Sequence, residues 1–439
     1  MKKILTAALA CALGLATAGQ ALATDSRING LSAAGPAFNE KSITIRDSAN
    51  IYPLPQFMVT YKNSVDVDAT KATKYGTMNI RYALSDDSVL LLFGKASPWK
   101  PVLKVKTIGQ QDAATTSGFN AHAGLEDTHH QFGVGFGLKA GESMRLGTTL
   151  SIGGKRADND PITNNSNWLA DFTVGLGFDL NETNSLDFGL NLQFGGFSNI
   201  ETRSAFQDSY LAEGIFGISL LAKGEFQVHQ IAKIVPYVRF GLDRRGVNHA
   251  NRSDDLCPSP GPSEGETCDD PKAAHLTNIA LSLGTDLAIS PVDGVLIQPG
   301  LGLALRTSNL IANQTQASLG LNPPELNAEV SRQWLPFYGF SAEAKAFDWL
   351  VLRLGARQTI VRTDSDNTLP TVPPGTPQPS NASANSQVVN TVSTGVGIKM
   401  MGWDLDVNMN PDFFNQGLHA VTGNPTGGWG IDFALGYDW

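Results

Sequence analysis

The final twelve residues, GWGIDFALGYDW (Gly428 to Trp439), constrain the fold more than any other stretch of the chain. Trp429, Ile431, Phe433, Leu435, Tyr437 and Trp439 take every second position, with Gly430, Asp432, Ala434, Gly436 and Asp438 between them. Successive side chains of an extended strand point to opposite faces, so one face here is wholly apolar and aromatic while the other is small or acidic. At the edge of a soluble sheet such a strand invites aggregation. With one face in lipid and the other toward a lumen, it is what a transmembrane strand requires.

The start of the chain narrows the choice. Lys2 and Lys3, an apolar run from Ile4 to Leu15 and the small-x-small sequence Ala21-Leu22-Ala23 predict a signal peptide over residues 1–23. Cys11 falls inside it, after Ala8-Leu9-Ala10, which fits a lipoprotein box poorly. The chain carries 32 basic against 41 acidic residues, and losing Lys2 and Lys3 makes it more acidic still. No basic patch is visible, so nucleic acid is not an expected partner. After the signal, no run of about 18 apolar residues offers a membrane-spanning helix. Export without such a helix leaves the periplasm, secretion or an outer-membrane barrel, and the alternation decides for the barrel.

Alternating runs recur from Thr77–Leu84 and Val89–Lys95, through a weaker Pro101–Ile108, to the last strand. Phe172, Val174, Leu176, Phe178 and Leu180 share one face, and Gly175 and Gly177 lie on the other. Long polar stretches (109–129, 155–167, 197–213, 246–274, 309–331, 362–386, 411–427) alternate with short turns such as Ala140-Gly141-Glu142, Asp348 and Gly402. That rhythm belongs to a barrel with long outer loops and tight inner turns. The expected fold is therefore all-β: an antiparallel up-and-down transmembrane β-barrel of 14–16 strands over residues 59–439. The Pro/Ser/Asn-rich 362–386 reads as a surface loop. Residues 309–331, with Leu310, Ile311, Leu319 and Leu321, read as a loop packed on its neighbours or an apolar lid.

Side chains with chemistry fall into a few groups. Cys257 and Cys268 form an even pair in an exported chain and read as a disulfide worth about 3 kcal/mol; a zinc site is the competing reading. Arg239, Asp243, Glu343, Lys345, Arg353, Arg357, Asp404, Asp406, Asp432 and Asp438 stand at positions opposite the apolar face and are expected in the lumen. They suit either a selectivity surface or a salt-bridged network that fills the lumen or pins a plug. His122, Glu126, Asp127, His129 and His130 have metal-ligand residue types but nothing to fix their geometry. No Gly-x-Ser-x-Gly elbow, His-Glu-x-x-His helix or phosphate loop is present, so neither catalysis nor a cofactor is expected.

Two resemblances add to this reading. The aromatic end, with Phe433, Leu435, Tyr437 and Trp439, resembles the closing strand of bacterial outer-membrane barrels. That resemblance implies recognition by the barrel-assembly machinery and an outer membrane of lipid and lipopolysaccharide as surroundings. Residues 24–58 do not alternate; small residues and prolines there suit an internal plug rather than a wall strand. Ala34-Gly35-Pro36-Ala37-Phe38, followed by Asp47-Ser48-Ala49-Asn50-Ile51-Tyr52-Pro53-Leu54-Pro55, resembles the N-terminal hatch of the outer-membrane fatty-acid and aromatic-hydrocarbon transporters, the FadL-like family. The sequence departs from the family's Asn-Pro-Ala core, having Leu54-Pro55-Gln56. The resemblance implies a 14-stranded barrel and a hatch carrying Asp47, Asn50, Tyr52, Pro53 and Pro55. It also implies passive passage of hydrophobic compounds. A general diffusion porin with a charged lumen, or a non-transporting structural or adhesive surface barrel, are the alternatives.

Overall fold

The computed structural model describes residues 27, 31, 43–45, 47–70, 75–98, 128–160, 163–203, 206–252, 272–314, 325–368, 381–409 and 431–439. After two 3-10 turns, Ser48–Ile51 and Pro55–Val59, sixteen strands follow among these residues. They are β1 (Ser64–Thr70), β2 (Tyr75–Ala83), β3 (Ser88–Pro98), β4 (Thr128–Ala140), β5 (Met144–Asp160), β6 (Thr163–Asp179), β7 (Ser185–Arg203) and β8 (Phe206–His229). The second half comprises β9 (Ala232–Arg252), β10 (Lys272–Ile289), β11 (Val295–Gln314), β12 (Glu325–Phe347), β13 (Leu350–Thr368), β14 (Asn381–Met400), β15 (Trp403–Met409) and β16 (Ile431–Asp438). Each strand pairs with the next, and β16 returns to β1 with Ser64 opposite Asp438 and Val67 opposite Leu435, closing the barrel.

Closure removes every sheet edge, which lets the outer face meet lipid without orphaned backbone groups. The alternation then sorts side chains. Met78, Tyr82, Phe132, Val134, Leu150, Ile152, Phe433 and Leu435 are exposed on the outside. Their strand neighbours Asn79, Arg81, Gln131, Thr149 and Ser151 are buried inside. At the C-terminus Tyr437 lies between Trp403 (4.7 Å between ring centroids) and Trp439 (6.4 Å). Such aromatic groups suit the level where a membrane meets water.

The tight turns behave as expected. Met401 (φ 52°) and Gly402 (φ 82°) both adopt the left-handed backbone that a two-residue hairpin between Met400 and Trp403 needs. Asn63 (φ 56°) precedes β1, and its carbonyl accepts from the Trp439 N–H (3.1 Å) while its side chain accepts from the Ala83 N–H (3.0 Å). One residue thus ties the chain end to the first hairpin.

Two expectations are corrected. Where the long polar stretches are described they are strand: β7 runs to Arg203 and β8 starts at Phe206, and β8 spans 24 residues. A bilayer needs strands of about 9–11 residues. Beyond the lipid band the outer face no longer has to be apolar, so pairing continues where hydropathy falls silent. In the same way Leu310 and Ile311 belong to β11, opposite Glu329 and Ala328, and not to a lid. The second correction concerns the wall's start. It begins at Ser64, with the strand SVDVDAT, whose alternation of two valines with two aspartates was too short to register. Residues 101–108, 257 and 268 lie outside the described residues, as do residues 1–26, so the third strand, the disulfide and the signal peptide are not described.

Candidate functional site

The described residues of the N-terminal segment lie inside the barrel. They touch strands on opposite sides of the ring, which is only open to a segment inside it. Tyr52 donates its hydroxyl hydrogen bond to Asn79 on β2 and meets Phe93 of β3 edge-on, at 5.3 Å. Gln56 Nε2 donates to Asp187 Oδ1 on β7 (3.1 Å). Thr44 donates to Asp286 on β10, and Gln298 of β11 donates to both Thr44 (3.2 Å) and Asp286 (3.0 Å). Ser341 of β12 donates to the Leu31 carbonyl (2.6 Å). Ile43, Ile51, Leu54, Phe57 and Met58 bury themselves against Val89, Leu91 and Phe93 of β3 and Leu221 of β8.

The wall is shaped to admit this plug. A Cβ at Gly147 would collide with the Pro55 carbonyl carbon, and one at Gly189 with the Pro53 carbonyl oxygen. At Gly175 it would strike the Gln56 side chain, and at Gly135 and Gly137 it would stand 3.1 Å from Met58. The inward glycines of β4–β7 are therefore a groove for the Pro53–Val59 turn. Phe57 lies beneath two cations, 5.5 Å from the Arg145 guanidinium and 5.4 Å from Lys223 Nζ.

Across the lumen the plug is held by charge. Arg27 donates through Nε and Nη2 to Glu343 (2.8 and 3.0 Å) and through Nη1 to Asp47 (3.3 Å). Glu343 also accepts from Arg353 Nε (2.8 Å), and Arg353 Nη1 reaches Asp406 (2.5 Å). Five groups from plug, β12, β13 and β15 form one alternating chain, largely shielded from solvent. Burial works against the charge on Arg27, but Glu343, Asp47 and Asp406 outweigh it and hold the guanidinium more firmly protonated than usual. Burial, then the charges of Asp66 and Asp68, push the Tyr52 phenol above its ordinary range.

Of the charges expected in the lumen, Glu343, Arg353 and Asp406 come together, joined by the hatch residue Asp47. Asp404 is buried beside them and stands opposite Lys399 in the β14–β15 ladder. Arg357 lies over the Phe337 ring at 4.0 Å, Arg239 bonds Ser219 (3.3 Å) and Asp243 accepts from Asn278 (3.4 Å). Lys345 sits at the rim, paired with Asp348 (2.8 Å), whose carboxyl that hydrogen bond and charge hold below the ordinary carboxylate range. The side chains of Asp432, His122, Glu126, Asp127, His129 and His130 lie outside the described residues. The hatch residues assemble as a unit: Asn50 Nδ2 donates to the Ile45 carbonyl (2.6 Å), its own carbonyl accepts from Leu54 (2.9 Å), and Pro53 and Pro55 enter the glycine groove.

Several partners escaped the sequence reading. Arg81 and Asp66 form a fully buried pair (2.6 Å) at the seam. Arg145 reaches Asp179 (2.8 Å) and Asp187 (3.5 Å), and Lys223 reaches Glu225 (3.1 Å). Their signal was an ionisable residue flanked by apolar ones, as Asp187 is between Leu186 and Phe188.

Between the plug's exit and the turns of β10–β15 lies a cavity of about 960 Å³. Glu343 forms part of its lining, with Leu296, Val351, Lys399, Asp404 and Asp438 around it. The plug thus rests on the β3–β8 side, while the space opens on the other. On the inner wall, β10–β14 each contribute one apolar residue to a cluster of Ala280, Ala304, Leu335, Val361 and Val389.

No family model matches the chain, and no curated protein matches it. Among solved structures, the toluene transporter TodX of Pseudomonas putida is similar over 96% of this chain and 99% of its own, at 8% identity and a TM-score of 0.41. A FadL homologue of Pseudomonas aeruginosa is similar over 94% and 97%, at 12% identity and 0.41. The ferric yersiniabactin uptake receptor FyuA of Yersinia pestis is similar over 86% and 80%, at 9% identity and 0.40. These likenesses concern barrel form alone.

Proposed function

We propose that this chain is a non-enzymatic outer-membrane barrel for the passive uptake of small molecules, which pass an internal plug on the β10–β15 side. The observation that carries the proposal is the asymmetric seat of the plug. It is packed into glycines on one side, and on the other it is held by the Arg27–Glu343 pair, whose Glu343 lines the 960 Å³ cavity. When Arg27 leaves, Arg353 keeps Glu343 paired, so the plug can part from the wall on this side without stranding that carboxylate, and this is the side on which passage opens. Hydrophobic compounds are the proposed cargo class, supported by the hatch-like sequence and by the apolar cluster facing inward on five successive strands.

Reconstitution tests it. Planar bilayers with the full chain are expected to show little steady conductance, and proteoliposomes to admit a small apolar compound faster than protein-free vesicles. Large steady conductance would make it a general diffusion porin. Neither conductance nor uptake would leave a structural or adhesive barrel.

A further inference from the structure

The outer face of β12–β14 breaks the apolar rule at one place. Outward positions on β13 run Leu352, Leu354, Ala356, Gln358 and Ile360, and on β14 Val388, Asn390 and Val392. Gln358 stands opposite both Tyr338 and Asn390 in the ladders. The Tyr338 hydroxyl donates to Gln358 Oε1, and Gln358 Nε2 donates to Asn390 Oδ1 at 2.7 Å. Exposed apolar residues flank this row on both sides: Trp334, Ile360 and Val388 toward the loops, Phe340, Leu354 and Val392 toward the turns. The row therefore lies inside the lipid-facing band, below the level of Trp334, where a headgroup would sit.

A carboxamide in that position is costly unless its donors and acceptors are met, and hydrocarbon offers neither. Gln358 uses its oxygen and one of its two Nε2 hydrogens along the row. Asn390 is exposed, accepts one bond, and its two Nδ2 hydrogens find no acceptor among the described residues. Asn and Gln join membrane-embedded elements through such bonds. An amide carries donor and acceptor together, so it is complementary to its own copy across a two-fold axis. We propose that Tyr338, Gln358 and Asn390 form the contact by which two copies of this chain pair side by side in the membrane. Ala356, just below Gln358, keeps that part of the face low enough for close approach. The inference rests on the outer face meeting lipid and is independent of any cargo.

Cysteine cross-linking of the full chain in native membranes tests it, in a background with Cys257 and Cys268 changed to serine. Val392→Cys, beside the row on β14, is expected to give a covalent dimer under mild oxidation, at least tenfold more than Leu150→Cys on the outward face of β5. Native mass spectrometry of the wild type should show a dimer, and Gln358→Leu/Asn390→Leu a monomer. Heat-modifiable mobility on gels confirms that each variant is a folded barrel. Equal cross-linking at both positions, or a wild type of single-copy mass, would overturn the proposal. So would a monomer that loses bound lipopolysaccharide in the leucine variant, since the amides would then serve lipid.

Discussion

Arg27 and Glu343, 316 residues apart, meet inside the barrel in a two-pronged ion pair at 2.8 and 3.0 Å. It joins the two parts of the molecule that have different tasks, the plug and the wall. Glu343 serves two guanidiniums at once, because Arg353 also donates to it (2.8 Å).

Neutralising Glu343 should therefore do more than removing Arg27. Glu343→Gln leaves Arg27 and Arg353 without their shared carboxylate, and breaking a buried pair from one side costs about 3–5 kcal/mol. Arg27→Ala leaves Glu343 still paired with Arg353. Planar-bilayer recordings should show conductance rising in the order wild type, Arg27→Ala, Glu343→Gln. An equal effect of the two variants would contradict the shared role of Glu343.

The glycine groove makes a second prediction. Gly147→Ala and Gly189→Ala place a methyl against plug backbone, which cannot swing aside, at a cost of about 1–3 kcal/mol. Gly175→Ala meets chiefly the end of the Gln56 side chain and should be milder. Protease sensitivity of the N-terminal segment in folded barrels reads the difference.

At the seam, Arg81 and Asp66 are both buried, at 2.6 Å. Arg81→Met alone should lower the temperature of heat-modifiable unfolding strongly, by about 3–5 kcal/mol of stability. Asp66→Asn added to it should recover part of that loss, since no isolated charge then remains. A double variant less stable than either single one would refute the pairing energetics.

The raised Tyr52 phenol gives a pH test. Its folded value exceeds the unfolded one, so its contribution is complete below about pH 10 and is lost as pH rises through the folded value. The plug should stay seated at neutral pH and loosen only at strongly alkaline pH. Tyr52→Phe should abolish that alkaline transition in conductance.

Legibility in the sequence follows from how local each cause is. The closing strand was readable because its alternation sits within eleven consecutive residues, Trp429 to Trp439. β1 was not, because SVDVDAT is brief and its partners, β2 and β16, lie on either side of a closure the chain makes only at its end. The polar outer halves of β7, β8, β12 and β13 were hidden for another reason: above the membrane no solvent contrast distinguishes a paired strand from a loop.

The barrel, the two faces of its wall and the non-alternating segment outside it are written in the order of the residues. Those follow from period-two patterning, which acts between adjacent residues. Which inward charges meet is set by the folded barrel. Arg27, Asp47, Glu343, Arg353 and Asp406 converge because the plug crosses the lumen and the β12–β15 registers set their heights. Ion pairing depends on distances of a few ångströms between groups hundreds of residues apart, and no local pattern encodes those distances.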